Sequence, residues 1–122
     1  MSVEIVNIVA GANGDAVFAD QPIEYRAGAH VPDGSALRSQ HEAIKRFFFM
    51  ELPVGWVANT VFADRRQLGV CMSGKVRFNL PDGTSRDFEA GSAWRLIDVN
   101  VTGLTIEVVG SEPSTCMIAH ID

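Results

Sequence analysis

Short β-prone runs separated by turn residues fill the chain from residue 47 onward, recurring at intervals of about 8 to 12 residues. The clearest run is residues 75–80, where polar and apolar residues alternate as in a strand with one face in the core. We expect Val76, Phe78 and Leu80 on the core face. The Pro-Asp-Gly at residues 81–83 predicts a turn, because proline fixes its own φ and glycine accepts a positive φ. Helical periodicity is nearly absent, so the pattern predicts an all-β sandwich or barrel.

The first 46 residues are less regular than the rest. Residues 4–10 fit an edge strand, and residues 11–14 form a turn without the spacing of a phosphate-binding loop. Residues 35–46 contain the one segment that fits a helical turn. We therefore divide the chain into an N-terminal arm (1–46), with edge strands and a short helical turn, and a barrel (47–122). Both belong to one structural domain, since 122 residues suit a single core.

Charge and hydropathy argue against two classes of partner. The chain carries 15 Asp plus Glu against 10 Lys plus Arg, and the basic residues are scattered, whereas nucleic-acid binding needs a basic face. The longest apolar stretches fall far short of the roughly 20 residues of a membrane span. The first residues lack the basic and apolar segments of a secretory signal. We therefore expect a cytoplasmic protein that binds neither nucleic acid nor membrane.

Cysteine and histidine, which often hold transition metals, are few and poorly spaced. Cys71 and Cys116 lack the spacing of a zinc site and are too few for a disulfide framework, so we expect small buried apolar side chains. His30, His41 and His120 lie at no spacing that would aim two imidazoles at one centre. The sequence therefore predicts neither a bound metal nor a cofactor.

Residues 55–74 resemble the first metal-binding motif of the cupin superfamily, glycine-x5-His-x-His-x3-Glu-x6-glycine. Val61, Ala63 and Gln67 stand where the two histidines and the glutamate would be. The second cupin motif, begun at Gly91, would place its histidine near Thr102 or Leu104. The resemblance covers residues 47–110, about half the chain. It implies a small cupin-like fold, a double-stranded β-helix or jelly-roll barrel with an irregular N-terminal segment, in which the metal ligands are missing.

In such a barrel, strand alternation would turn two sets of residues inward, at positions 59, 61 and 63 and at positions 67, 69 and 71. The predicted ligand-binding residues are Gln67, Asn59, Val61, Ala63, Cys71, Thr102 and Leu104. They describe an apolar cavity with two amides, which suits the carbonyl or hydroxyl group of a small ligand. The alternative is that the amides satisfy backbone groups or ordered water.

Function is less constrained than fold. The resemblance allows a metal-independent cupin that binds a small, partly apolar molecule, with isomerase, lyase or cyclase activity as an extension. The alternative is a non-catalytic structural or accessory cupin whose barrel is filled by side chains. We identify no catalytic residue, because Tyr25, His41, Asp98 and His120 could act only if the fold aims them inward. The phenylalanines at 47–49 predict one face in the core and another at a dimer interface or the cavity mouth, with ordinary core and sheet packing as the simpler interpretation for most of the aromatic residues. Barrels of this kind often pair through their amino-terminal strands to cover an exposed edge, and on that ground we expect a homodimer.

Overall fold

The computed structural model describes residues 4–22, 39, 42–59, 65–99 and 101–121. These residues form ten β-strands in two sheets. The strand bounds are β1 Glu4–Ala10, β2 Ala16–Pro22, β3 Arg46–Leu52, β4 Val57–Asn59, β5 Gln67–Ser73, β6 Val76–Asn79, β7 Ser85–Phe88, β8 Ala93–Leu96, β9 Thr105–Val108 and β10 Ser114–His120. The six-stranded sheet has the order β2-β1-β8-β5-β10-β3, and the four-stranded sheet has the order β4-β9-β6-β7.

Strands β3 to β10 follow the path of a jelly roll. Apart from the β6–β7 hairpin, successive strands alternate between the two sheets, so that each sheet receives four interleaved strands. All neighbours among these eight strands pair antiparallel. This is the double-sheet arrangement of the jelly rolls, to which the cupins belong. The predicted all-β, cupin-like fold is therefore confirmed, although the described residues show two facing sheets rather than one closed barrel.

At the N-terminal end, β1 and β2 extend the six-stranded sheet. β1 pairs parallel with β8 and antiparallel with β2. The expectation of a strand at residues 4–10 is correct, but its position at the edge is wrong, because β2 covers it. The helical turn expected within 35–46 falls largely outside the described residues, and residues 42–45 are not helical. The division of the chain after residue 46 stays a prediction.

Apolar side chains from both sheets meet in one core. Val76, Phe78 and Leu80 are 0%, 1% and 6% exposed, which confirms the core face predicted from their alternation. Phe78, Phe88 and Trp94 pack as a three-ring cluster with centroids 4.8, 5.0 and 5.3 Å apart. Phe78 and Phe88 belong to the four-stranded sheet and Trp94 to the six-stranded sheet, so this cluster joins the two sheets. In the described part of the chain, no helix is long and apolar enough to cross a membrane.

Candidate functional site

A small, mostly apolar cavity lies between the two sheets. The described residues that line it are Met50, Leu52, Trp56, Gln67, Val76, Trp94, Ile106, Cys116 and Ile118. The space open to the centre of a water molecule is about 20 Å³. One water needs about 10–15 Å³ on this measure. The cavity therefore has room for one or two water molecules.

Gln67 brings an amide to this cavity wall. It begins β5, opposite Leu96 of β8 and His120 of β10, and is 4% exposed. Side chains alternate along a strand, so Gln67, Gly69 and Cys71 share the inward face of β5. The structure thus turns Gln67 and Cys71 inward, as expected, and places Gln67 on the wall. Contact between either residue and a ligand stays a prediction.

Trp94 occupies the space above Gly69. The two residues are directly opposed on β8 and β5, and a Cβ added to Gly69 would lie 2.1 Å from two indole carbons of Trp94. Glycine is needed here because the ring lies where a side chain would begin. The Trp94 Nε1–H is buried and has no hydrogen-bond partner among the described residues. Because an unpaired buried donor costs about 1–3 kcal/mol, an acceptor in the cavity would stabilise this group.

The predicted residues of the first motif are not all at this cavity. Asn59 lies on the exposed face of β4, where its Oδ1 accepts a hydrogen bond from Thr105 Oγ1 at 3.2 Å. The inward orientation expected for Asn59 is wrong, because the half-buried position of β4 is its neighbour Ala58. Val61 and Ala63 lie outside the described residues. Gln67 is thus the one amide of the predicted pair that the structure brings to the cavity.

The two candidate positions of the second motif lie apart from the cavity. Thr102 is exposed, and its hydroxyl donates a hydrogen bond to Asp15 Oδ1 at 2.6 Å. Leu104 is 2% exposed and packs in the core without lining the cavity. Neither residue meets Gln67 in the wall, so the described members of the predicted ligand-binding set do not come together as one site.

Two of the titratable residues considered for catalysis, Asp98 and His120, do not line the cavity. Asp98 Oδ2 accepts a hydrogen bond from the Ala10 N–H at 2.8 Å. His120 Nδ1 accepts one from Arg46 Nε at 2.9 Å. Tyr25, His30 and His41 lie outside the described residues. Within the ranges that the structure covers, no group of three or more His, Cys, Asp and Glu residues could hold a metal ion.

The two cysteines form a contact that the sequence did not predict. Cys71 on β5 and Cys116 on β10 are directly opposed, unbridged and buried, at 0% and 2% exposure. The Ser114 hydroxyl lies 3.7 Å from Cys71 Sγ and 3.5 Å from Cys116 Sγ. Burial of each cysteine was expected, but their contact depends on the pairing of β5 with β10, and no local pattern reports that pairing. Cys116 is also the one titratable side chain among the described residues of the cavity wall.

Comparisons with known proteins return structures rather than families. No family model and no curated protein matches the chain. The cupin domain of Schizosaccharomyces pombe Cnp3 is similar over 99% of this chain and 82% of that one, with 14% identity and a TM-score of 0.47. A putative ethanolamine utilization protein Q from Salmonella typhimurium is similar over 99% and 97%, with 11% identity and a TM-score of 0.44. TM-scores below 0.5 are too low to assign a fold. The assignment of a cupin-like jelly roll therefore rests on the order of the strands in the two sheets.

Proposed function

We propose that this chain is a non-catalytic, cupin-like accessory domain, filled by its own side chains, that acts by associating with a second copy of itself. The observation that carries the first part is the cavity of about 20 Å³. Pockets for drug-sized ligands are about 300–1,000 Å³, far larger than this space. The interior of the described structure thus favours a packed core, and the surface is where an interaction is supported.

The outward side of the six-stranded sheet, here called the outer face, is apolar near β3. Directly opposed residues form one row across it: Phe49, Met117, Val70, Ala93 and Ile5. Phe47 and Phe49 are 59% and 61% exposed, and their rings meet edge to face at 6.1 Å. Elsewhere on this face, Glu42 from the segment before β3 forms an ion pair with Arg95 of β8. Ala93 and Ile5 in this row are buried, at 5% and 6% exposure, so the exposed apolar surface is confined to the β3 end, where Phe47 and Phe49 lie. Exposed aromatic side chains beside a sheet edge support an interaction site there.

Strand β3 is also an edge of its sheet in the part of the chain that the structure describes. Its seven residues contain neither proline nor glycine, and such an edge pairs readily with another strand. Two copies of one strand pair antiparallel about a two-fold axis, which closes a dimer. Opposed residues of an antiparallel pair point to the same face, and residues on one face of a strand are an even number of positions apart. The two-fold axis therefore passes beside one residue of β3, which is opposed to the same residue of the second copy.

An axis beside Phe48 gives the better match between the two copies. Phe47 then lies opposite Phe49 of the second copy on the outer face. Lys45, directly before β3, comes next to Glu51 of the second copy, and both pairs occur twice. An axis beside Phe49 would instead set Phe47 against the charge of Glu51. Aromatic and opposite-charge pairs each contribute about 0.2–1 kcal/mol across strands, so the complementarity favours the first register.

Sedimentation equilibrium over a concentration series tests the dimer and its register. We expect the wild type to dimerise, Phe49→Lys to be a folded monomer, and Lys45→Glu and Glu51→Lys each to weaken association. The double variant Lys45→Glu, Glu51→Lys restores the opposite charges and should restore the dimer. Glu112→Lys, an exposed position on another part of the surface, is the matched control. A wild type that stays monomeric at every concentration contradicts the dimer, and a double variant as weak as the single ones contradicts the register.

A second candidate, the binding of a very small ligand, is favoured by the unpaired Trp94 N–H beside the cavity that Gln67 also lines. A ligand carbonyl or hydroxyl would accept from the indole, and the apolar wall would contact its carbon atoms. Thermal-shift measurements with a panel of small metabolites test this, because a ligand that binds only the folded protein raises its melting temperature. Gln67→Ala should abolish the shift without unfolding the domain, with Asn79→Ala, outside the wall, as control. A panel without any stabilising compound supports the filled interior.

A further inference from the structure

The pairing of β5 with β10 places Cys71 and Cys116 in the geometry that a cross-strand disulfide requires. The main-chain groups of Cys71 point away from β10, since its N–H donates to Ser92 O at 2.9 Å and its C=O accepts from Gly91 N at 2.8 Å. Cys71 and Cys116 are therefore a non-hydrogen-bonded pair, for which the two Cα atoms lie about 4.5 Å apart and the side chains converge. Disulfides span Cα distances of about 4.4–6.8 Å. The pairing type therefore suits the Cα separation that a disulfide needs.

Ser114 lies against both thiols. Its hydroxyl donates to Ser73 O at 2.9 Å, so its oxygen is left to accept from a thiol. The same oxygen is within 3.7 Å of Cys71 Sγ and 3.5 Å of Cys116 Sγ, and Ser114 is fully buried. A pairing irregularity between Thr115 and Cys116 brings Cys116, two residues after Ser114, opposite Cys71. The three side chains thus form one buried cluster on the inner face of two neighbouring strands.

We propose that Cys71 and Cys116 are a redox modification site, at which hydrogen peroxide converts the two thiols into an intramolecular disulfide. The cavity supports this choice of oxidant, because Cys116 forms part of its wall and the space suits a molecule little larger than water. A bulky disulfide such as oxidised glutathione has no comparable approach to these buried sulfurs. The geometry therefore selects a small, uncharged oxidant.

The reaction proceeds in two balanced steps. The thiolate of one cysteine attacks one peroxide oxygen, the O–O bond breaks, and hydroxide leaves and takes up the proton released from that thiol, which gives a sulfenic acid and water. The sulfur of the second cysteine then attacks the first sulfur, the S–S bond forms, the S–O bond breaks, and the hydroxyl leaves as water with the proton of the second thiol. Two thiols lose two electrons, and one peroxide becomes two waters.

The contact between the two sulfurs makes their acidities unequal. A hydrogen bond from Cys116 lowers the pKa of Cys71 to about 6, against the opposing effect of burial. The same contact with Cys71, followed by burial, raises the pKa of Cys116. The thiolate is the nucleophile in thiol chemistry, so acidity favours attack by Cys71. The cavity wall, in contrast, brings peroxide to Cys116, and single-cysteine variants distinguish the two orders.

The test uses the folded wild-type chain treated with hydrogen peroxide, quenched and then denatured. We expect titratable thiols to fall from two per chain to none, and a linked peptide pair containing Cys71 and Cys116 that has lost two hydrogen atoms. The product should run as a single chain on a non-reducing gel, and dithiothreitol should restore both thiols. Met72 is 51% exposed, so its oxidation shows that the peroxide treatment was effective. If Met72 is oxidised while both thiols remain titratable, the proposal is overturned. A disulfide between chains would overturn it as well.

Two matched variants test the roles of the two sulfurs. In Cys116→Ser and in Cys71→Ser, the remaining cysteine has no partner sulfur, so a sulfenic acid formed there should accumulate and be trapped by dimedone. The variant that is trapped faster identifies the sulfur that attacks peroxide. Absence of trapping in both folded variants would contradict the sulfenic acid step. The wild-type measurement stands without either variant if one of them does not fold.

Discussion

Gly69→Ala is the substitution for which the structure gives the sharpest expectation. The added Cβ would lie 2.1 Å from Cε2 and Cζ2 of Trp94 and 2.6 Å from its Nε1. The indole is held on its other sides by Phe78 and Phe88, with ring centroids 5.0 and 5.3 Å away, so it cannot move without displacing them. Overpacking of a core costs about 1–3 kcal/mol. Loss of a buried tryptophan side chain costs about 3–5 kcal/mol. Because the ring must partly leave its site, we expect Gly69→Ala to lower the free energy of unfolding by about 3 kcal/mol.

Urea unfolding followed by far-UV circular dichroism measures this loss. The fluorescence of Trp94 should move to longer wavelength as the ring becomes exposed, over a constant contribution from Trp56. The matched background is Trp94→Leu, in which a methyl group at residue 69 has room. There the same Gly69→Ala change should cost less than about 1 kcal/mol, so that the double-mutant cycle gives a coupling energy of about 2 kcal/mol. A loss below about 0.5 kcal/mol in the wild type, or the same loss in both backgrounds, would refute the packing account.

Three further predictions concern a turn, an ion pair and the oxidised core. In urea unfolding, Gly74→Ala should lower the free energy of unfolding by more than Gly83→Ala. Both glycines have a positive φ, 71° and 89°, so alanine is strained at either position. A Cβ at Gly74 would also lie 2.4 Å from a main-chain oxygen, whereas a Cβ at Gly83 would have open space. Equal losses would show that φ alone matters. The Arg77 guanidinium lowers the pKa of Asp87 from 3.8, so the pair stabilises the fold above pH about 4 and less as pH falls through the lowered pKa. Asp87→Asn should therefore flatten the acid limb of the unfolding curve, with a loss of at most about 1 kcal/mol at neutral pH, and an unchanged acid limb would contradict the pairing. Formation of the Cys71–Cys116 disulfide closes a loop of about 45 residues and should add up to about 4 kcal/mol to the free energy of unfolding, measured against the reduced protein, and a lower stability after oxidation would show strain in the bond.

The elements that the sequence predicts well are those fixed by neighbouring residues. Residues 76, 78 and 80 point inward because their alternation and the following turn are both local. β2 was not predicted, because Ala16–Pro22 carries Asp20 and ends in proline and becomes a strand through seven paired residues of β1. Asn59 was assigned to the wrong face because side-chain direction depends on where the strand begins. The motif spacing does not predict that β4 consists of the three residues Val57–Asn59. The contact of Cys71 with Cys116 depends on strands 45 positions apart in the chain, and local patterns carry no information about that register.

The Gly69–Trp94 contact shows why the fold is easier to predict from the sequence than the size and lining of the cavity. A turn such as the one at Gly74 accepts few residues, because its φ is positive and Pro113 O lies where a side chain would begin. Glycine spacing therefore reports the connections between strands. The content of a cavity depends on side-chain volume brought in from distant strands. Trp94 comes from β8, and it fits only because β5 presents no side chain at Gly69. Since Trp94 fills space above Gly69 and supplies an unpaired N–H to the cavity that remains, its side-chain volume is one of those that limit the size of a molecule in the interior.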